Sequence, residues 1–216
     1  MPKLITEANM NTDLIIKVCG MKDPGQIAEL ALLDIQYIGL IFVPASPRFI
    51  DHSIDHKLVG DKKSVGIFVN SPIEQVLYTV SRYQLDAVQL HGQESPDFCA
   101  EIQNRGIEVI KAFSVDKNFD FEKTYEFDGY ADLFLFDAKG EAAGGNGIRF
   151  DWNNLNEYEG ATSFLLSGGI SYEHIDEIKY FKHPACIGID INSKFEYSPG
   201  NKDLITIKKF VHELRS

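Results

Sequence analysis

The sequence predicts an α/β fold, a single (β/α)8 barrel of the TIM type. Eight short apolar runs recur along the chain, and such runs are typical of parallel strands that are buried on both faces. Helical patterns separate the runs, which indicates parallel βαβ units. The 216 residues give about 27 per unit, which favours a closed barrel over an open doubly wound sheet. The eight predicted strands cover residues 14–20, 37–43, 64–70, 86–92, 107–113, 131–137, 163–169 and 186–192.

Helix starts follow several of the strands. A capping residue before proline predicts a start at Asp23-Pro24 and another at Ser95-Pro96. Ser71-Pro72 followed by Glu74 predicts a capping box. Further helices are expected from Ser171 and from about Lys202, whereas the segments after strands two and six are less regular.

Composition restricts the domain organisation and the kinds of partner. Residues 14–216 form one predicted barrel domain, and residues 1–13 are a short polar leader without a signal-peptide pattern. A net charge of −11 argues against binding to nucleic acid or to an anionic membrane surface. The longest apolar stretch, at residues 37–45, is shorter than the ~20 residues of a membrane span. Three widely spaced cysteines without a CxxC pattern indicate a reduced, cytoplasmic protein without a zinc site.

The ends of strands one and six carry the candidate proton carriers, because barrel chemistry takes place at the carboxyl ends of the strands. Strand alternation puts Lys17 and Cys19 on one face, where the ammonium is expected to lower the thiol pKa toward neutrality. The alternative is that Cys19 is a small buried hydrophobe. Asp137 ends an apolar strand, so burial is expected to raise its pKa and suit it to donate a proton. The alternative is a carboxylate that caps the loop or pairs with Lys139.

Three further polar residues follow strands two and four. Arg48, in a loop stiffened by two prolines, is a candidate for binding a carboxylate, with a solvated surface arginine as the alternative. Gln89 and His91 share a strand face, and His91 is either a proton carrier or a hydrogen-bonded polar residue.

The last three strands predict a phosphate site. The loop after strand six contains Gly145 and Gly147, and glycine lets backbone N–H groups approach a ligand. Loops after strands seven and eight form the usual phosphate site of such barrels. The residues concerned here are Ser167, Gly168, Gly169, Asp190, Asn192 and Ser193.

Taken in order, these strand ends resemble the phosphoribosylanthranilate isomerase family of tryptophan biosynthesis. The resemblance runs from about residue 14 to the C-terminus. The matching segments are Ile16-Lys17-Val18-Cys19-Gly20-Met21, Ser46-Pro47-Arg48, Val65-Gly66-Ile67-Phe68-Val69-Asn70, Val88-Gln89-Leu90-His91-Gly92, Phe136-Asp137-Ala138-Lys139, Gly144-Gly145-Asn146-Gly147 with Phe150-Asp151-Trp152, Leu166-Ser167-Gly168-Gly169, and Gly188-Ile189-Asp190 through Ser198-Pro199-Gly200-Asn201-Lys202-Asp203.

The resemblance implies an isomerase that needs neither cofactor nor metal. The family carries out an Amadori rearrangement of N-(5′-phosphoribosyl)anthranilate to 1-(2-carboxyphenylamino)-1-deoxyribulose 5-phosphate. The family pattern implies that Cys19 is the general base, that Asp137 is the general acid, and that Arg48 meets the anthranilate carboxylate. It assigns phosphate binding to three loops: the Gly145–Gly147 loop, the Ser167–Gly169 turn and the loop after strand eight.

The chain departs from the family pattern at a few positions, and three other functions remain as rivals. Asn192-Ser193-Lys194 stands where the family usually has two serines and a glycine, Ile148-Arg149 where a lysine and a threonine are common, and Ala138 where a threonine is usual. The related isomerase of histidine biosynthesis uses two aspartates, so Cys19 argues against it. An inactive ligand-binding barrel is disfavoured by the presence of both proton carriers. An NAD-binding domain is disfavoured because no GxGxxG opens the first helix. The sequence leaves the choice between monomer and homodimer open.

Overall fold

A closed barrel of eight parallel strands forms the centre of the protein. The computed structural model describes residues 14–138 and 151–216, so the predicted leader lies outside the described residues. Each strand pairs with the next, and the first pairs with the eighth, which confirms the closed barrel. The strands are β1 (Ile15–Val18), β2 (Tyr37–Ile41), β3 (Lys63–Phe68), β4 (Ala87–Leu90), β5 (Glu108–Val115), β6 (Leu133–Ala138), β7 (Phe164–Leu166) and β8 (Cys186–Ile191).

Five α-helices in the described residues cover the outside of the barrel: α1 (Pro24–Leu30), α2 (Ile73–Tyr83), α3 (Pro96–Gln103), α4 (Ile175–Tyr180) and α5 (Leu204–Arg215). Asp23 and Ser95 cap α1 and α3 as expected. The capping box predicted at Ser71 is wrong, because the residue before α2 is Pro72, which has no side-chain group that accepts a hydrogen bond. The last helix, expected from about Lys202, starts at Leu204, and Asp203 caps it by accepting a hydrogen bond from the Thr206 backbone N–H.

Three of the strands are followed by 3₁₀ segments instead of α-helices in the described residues. The segments after β2, β5 and β6 contain only 3₁₀ turns in the described residues, at His56–Val59, Phe121–Phe127 and Trp152–Glu157. Irregular segments after strands two and six were expected, but the one after β5 was not. Its buried residues are Phe121, Thr124 and Phe127, a spacing of three that matches the 3₁₀ repeat rather than the α-helical one.

Two separate layers of apolar side chains stabilise the barrel. The larger layer lies between strands and helices, where the Phe136 ring contacts Phe121, Tyr158 and Phe164. The smaller layer fills the inside of the barrel with Cys19, Tyr37, Ile41, Val65, Ile67, Ala87, Ile110, Ala112, Leu133, Leu135 and Leu165. Inward and outward residues therefore alternate along the strands, as the predicted strand faces require.

After β8 the chain makes a 3₁₀ turn at Ser193–Phe195 and a short hairpin of β9 (Glu196–Ser198) and β10 (Asn201–Lys202) before α5 begins. The hairpin brings Glu196 and Lys202 to the end of the barrel where β8 finishes. Across residues 14–138 and 151–216, no helix has the length and apolar character needed to cross a membrane.

Candidate active site

Polar side chains replace apolar ones at the carboxyl ends of the inward strand faces. Cys19 directly follows β1, His91 directly follows β4, and Ser167 directly follows β7. Asp137 is the second-last residue of β6, and Asp190 is the second-last residue of β8. The structure therefore brings together residues that are far apart in the chain. Cys19 follows β1 and Asp190 lies on its paired strand β8, although the two are 171 positions apart.

A buried ion pair joins β1 to β8 beneath this end of the barrel. Lys17 and Asp190 are paired in register, and Lys17 Nζ lies 2.8 Å from Asp190 Oδ1. The Lys17 side chain is fully buried. Burial alone would lower the pKa of Lys17, but the attraction of Asp190 outweighs it, so the pKa is raised and the ammonium is charged. Asp190, expected among the ligand-binding residues, is thus engaged by Lys17.

The Cys19 thiol lies two residues beyond Lys17 on the same face of the chain, close enough for the ammonium to act on its pKa. Burial raises the pKa of Cys19, and the negative charge of Asp190 raises it further. The positive charges of Lys17 and Lys202 lower it, but by less than burial and Asp190 together raise it. The expectation that the thiol pKa is lowered toward neutrality is therefore wrong in its net direction. The contribution of Lys17 has the expected sign, but desolvation of a residue that is only 4% exposed is larger.

The Asp137 carboxyl has the raised pKa that the sequence predicted. Burial is the main cause and the negative charge of Asp190 the second, and together they raise the pKa of Asp137 to about 6. The Ala138 backbone N–H donates to Asp137 Oδ1 at 3.0 Å, and it and the nearby Ser167 hydroxyl lower the pKa of Asp137 by less. A carboxyl with this pKa can hold a proton for donation near neutral pH.

A series of neighbouring polar groups links the thiol to the carboxyl. Lys17 acts on the pKa of Cys19 and pairs with Asp190, and Ser167 Oγ lies 3.4 Å from Asp190 Oδ2. Ser167 in turn acts on the pKa of Asp137. The series follows β1, β8, β7 and β6, which are neighbours in the barrel. It places the cation next to the thiol and the anion next to the carboxyl.

The Gln89 and His91 side chains contact each other on the opposite wall, with Gln89 Nε2 3.2 Å from His91 Nδ1. Burial, with repulsion from Lys111 and Lys17, lowers the pKa of His91 to about 4, so the imidazole is neutral at pH 7. His91 Nε2 is 3.7 Å from Asp137 Oδ2, which is too long for a hydrogen bond. Gln89 Oε1 is buried without a hydrogen-bond partner among the described residues.

Arg48 is buried rather than a solvated surface residue. Its Nε donates to both Glu196 oxygens at 2.9 and 3.0 Å, and its Nη2 donates to Glu196 Oε2 at 2.6 Å. Lys202 reaches the same carboxylate, and its Nζ lies 2.8 Å from Glu196 Oε1. Sequence reasoning gave Glu196 and Lys202 no role, although both lie in or beside the last segment that resembles the family.

A second buried ion pair holds the end of β4 and was also missed. Lys111 Nζ lies 3.0 Å from Glu94 Oε2 and donates to the carbonyls of Leu90 and Gly92. Glu94 accepts hydrogen bonds from the Asn70 and Gly92 backbone N–H groups. The pair therefore fixes the loop that follows His91. An isolated lysine in a strand pattern gave no sequence signal for this role.

The remaining expected residues lie around the same end of the barrel. Gly168 and Gly169 have φ values of +90° and +67°, and a Cβ on Gly168 would lie 2.6 Å from the Ala138 nitrogen. Glycine there lets the turn after β7 pack against the end of β6. Asn192 and Ser193 are partly exposed at the end of β8. Gly145 and Gly147 lie outside the described residues.

Within the described ranges, no group of three or more histidine, cysteine, aspartate or glutamate side chains is arranged to hold a metal ion. All three cysteines, Cys19, Cys99 and Cys186, are free thiols.

Comparison with known proteins agrees with this arrangement. The family model described as N-(5′-phosphoribosyl)anthranilate (PRA) isomerase matches residues 16–213. The N-(5′-phosphoribosyl)anthranilate isomerase of Parabacteroides distasonis is 47% identical over 206 residues, which are 93% of each chain. The crystal structure of the Thermus thermophilus enzyme matches with a TM-score of 0.79, covering 93% of this chain and 98% of that one, and at 24% identity it supports the fold alone.

A solved phosphoribosyl anthranilate isomerase in complex with reduced 1-(o-carboxyphenylamino)-1-deoxyribulose 5-phosphate is 27% identical, with a TM-score of 0.72. The match covers 94% of this chain and 98% of that one. With the family model spanning nearly the whole barrel, the chain belongs to the N-(5′-phosphoribosyl)anthranilate isomerase family.

Proposed function

We propose that this chain converts N-(5′-phosphoribosyl)anthranilate to 1-(2-carboxyphenylamino)-1-deoxyribulose 5-phosphate in tryptophan biosynthesis, with Cys19 as general base and Asp137 as general acid. The observation that carries the proposal is the polar series from Cys19 through Lys17, Asp190 and Ser167 to Asp137. The Lys17 cation favours the ionised form of the base, and the Asp190 anion favours the protonated form of the acid, as this assignment requires.

Asp137 donates its proton to the furanose ring oxygen as the ring opens. Cys19, as the thiolate, then takes the proton from C2′ of the open-chain imine. The resulting enol-amine tautomerises to the ketose, as C1′ gains a proton and the C2′ hydroxyl loses one. A pKa near 6 leaves a useful fraction of Asp137 protonated near neutral pH. The positive charge of Lys17 supports the thiolate, and burial makes the thiolate a stronger base because it raises the pKa.

The substrate's polar groups have candidate partners around the proton carriers. Arg48 receives the anthranilate carboxylate. Gln89 Oε1, which lacks a partner among the described residues, is placed to accept from a sugar hydroxyl, and neutral His91 is available as a hydrogen-bonding group. The phosphate is assigned to the loops that contain Gly145, Gly147, Ser167, Gly168, Gly169, Asn192 and Ser193, in line with the family pattern.

The direct test is a turnover assay that follows loss of substrate fluorescence. Cys19→Ser and Asp137→Asn are each expected to lower kcat by at least ~10²-fold, because each removes one proton carrier. Cys186→Ser is the matched control, since this thiol lies at the opposite end of β8 from the site. Near-normal turnover by either site variant, with an unchanged circular dichroism spectrum, would refute the role assigned to that residue.

A cytoplasmic location is part of the proposal and is supported by the three free thiols. The chain is predicted to be either a monomer or a homodimer, and the sequence does not choose between the two. Size-exclusion chromatography with light scattering would distinguish the two states.

A further inference from the structure

Three buried charges meet beside Cys19 in a cluster that consists of Arg48, Glu196 and Lys202. Their side chains are only 5%, 3% and 0% exposed. Arg48 Nη2 lies 2.6 Å and Lys202 Nζ 2.8 Å from the one carboxylate between them. The cluster therefore contains two cations and a single anion.

The Glu196 carboxylate has no free hydrogen-bonding capacity. Its Oε1 accepts from Arg48 Nε, from Lys202 Nζ and from the Gly200 backbone N–H at 3.1 Å, and its Oε2 accepts from Arg48 Nε and Nη2. Burial would raise the pKa of Glu196, but Arg48 and Lys202 outweigh it and hold the pKa below its usual value. Glu196 is thus a fixed anion that orients Arg48.

Lys202 is equally saturated. Its Nζ donates to Glu196 Oε1, to Asn192 Oδ1 at 2.8 Å and to the Asn192 carbonyl at 3.3 Å, which uses all three ammonium protons. Lys202 has no donor left for a ligand. Any effect that it has on substrate must therefore act through Glu196 and the charge balance of the cluster.

Arg48 retains the donors that a carboxylate needs. Its Nε and one side of Nη2 are used by Glu196, whereas Nη1 has no acceptor among the described residues. The remaining Nη1–Nη2 edge is one that binds carboxylates through two parallel hydrogen bonds. Without Lys202, the charge of Arg48 would be neutralised by Glu196. With Lys202, and with the neighbouring Cys19 thiol protonated before substrate binds, one positive charge is left over in a buried place, where an unpaired charge is costly until an anion binds.

We propose that Lys202 is a positioning residue that, by sharing Glu196 with Arg48, leaves Arg48 with a free positive charge for the carboxylate of the substrate. This inference rests on the proposed contact between Arg48 and the anthranilate carboxylate. It also gives a role to Asn192, which stands where the family usually has serine and which supplies two of the three acceptors of Lys202.

The test compares two ligands by titration calorimetry. One is the reduced product analogue 1-(2-carboxyphenylamino)-1-deoxyribitol 5-phosphate, and the other is the same compound without the carboxylate. Lys202→Met is expected to weaken binding of the first by about 10-fold or more and of the second by less than about 3-fold, because only the first uses the free charge. Lys202→Arg, which keeps the charge, is expected to restore part of the preference for the carboxylate.

Lys208→Met is the matched control for the loss of a positive charge. It makes the same substitution at an exposed lysine of α5, so the preference for the carboxylated ligand should change by less than about 3-fold. An equal loss of affinity for both ligands in Lys202→Met would mean a merely structural role and would overturn the inference.

Arg48→Ala separates this inference from the proposed function. Loss of the carboxylate preference in Arg48→Ala but not in Lys202→Met would overturn the role of Lys202 alone. An unchanged preference in Arg48→Ala would overturn the proposed contact itself, and with it the function given to Arg48.

Discussion

Lys17 Nζ lies 2.8 Å from Asp190 Oδ1, and the two residues are directly paired across β1 and β8. The ion pair is the only one in the described residues that influences both proton carriers with opposite charges: Lys17 lowers and Asp190 raises the pKa values of Cys19 and Asp137. Removing one partner should therefore shift both proton carriers in the same direction.

We expect opposite shifts of the pH profile in Lys17→Met and Asp190→Asn. In the proposed mechanism the active form has Asp137 protonated and Cys19 ionised, which is the minor arrangement because the pKa of Cys19 lies above that of Asp137. The population of this form, and with it kcat/KM, rises with pH up to the pKa of Asp137, about 6, and falls again above that of Cys19. Lys17→Met should move both limbs to higher pH and Asp190→Asn both to lower pH. Two other groups lie near the proton carriers, Lys202 near Cys19 and His91 near Asp137, and both are unchanged in both variants.

The check is kcat/KM measured across the pH range for both variants and the parent. The substrate phosphate titrates identically in all three, so only differences between them matter. Limbs that move in the same direction in both variants would contradict the prediction. Lys17→Met also leaves Asp190 unpaired, so we expect the free energy of unfolding to fall by about 3–5 kcal/mol, with partial recovery in the double variant.

Asp137→Asn is expected to be more stable than the parent protein at alkaline pH. The pKa of Asp137 rises from 3.8 to about 6 on folding, so ionisation is disfavoured in the folded state. The parent therefore loses stability as pH rises through this window, and the variant does not. Urea unfolding at about pH 8 should show a gain of up to about 3 kcal/mol, and at about pH 4 the gain should vanish. A gain that is equal at both pH values would contradict this account.

The His91 imidazole is expected to remain neutral throughout the range in which the enzyme works. Its pKa is lowered to about 4 by burial, with Lys111 and Lys17 adding repulsion. Two-dimensional ¹H–¹⁵N spectra, assigned with His91→Gln, should show no titration of this ring between about pH 5 and 8. A titration near the ordinary value of about 6.5 would show that the ring is more solvated than the structure indicates.

Gly20→Ala is expected to impair binding of the substrate carboxylate. Gly20 has a φ of +75°, and a Cβ there would lie 2.6 Å from Arg48 Cδ and 2.7 Å from Asn192 Oδ1. Gly129→Ala is the matched control, because its φ is +79° but a Cβ would meet nothing within 4 Å. Both variants should lose about 1–2 kcal/mol of stability from the backbone alone. Only Gly20→Ala should also weaken binding of the carboxylated product analogue.

The barrel could be predicted because each of its strands is recognisable from a short stretch of sequence. Each strand is an apolar run, and alternation within β1 and β6 is enough to put Lys17, Cys19 and Asp137 on inward faces. The 3₁₀ segment after β5 was missed because its buried residues repeat every three positions, although Phe121 and Phe127 carried that signal in the sequence.

The electrostatics of the site could not be predicted in the same way. The pKa of Cys19 depends on how completely the thiol is desolvated, and strand alternation gives its neighbours but not its burial. Arg48 and Glu196 are 148 positions apart, so their pairing follows from the closed barrel and the β9–β10 hairpin rather than from any local pattern.

The burial of Cys19 has a consequence for chemical damage. Oxidants and alkylating agents attack exposed thiolates. Cys19 is only 4% exposed, and its raised pKa keeps the thiol protonated, so such reagents neither reach it nor find it ionised. In the proposed reaction the thiolate forms only once substrate is bound. A cysteine placed in this way can therefore serve as the proposed base without making the resting protein sensitive to peroxide.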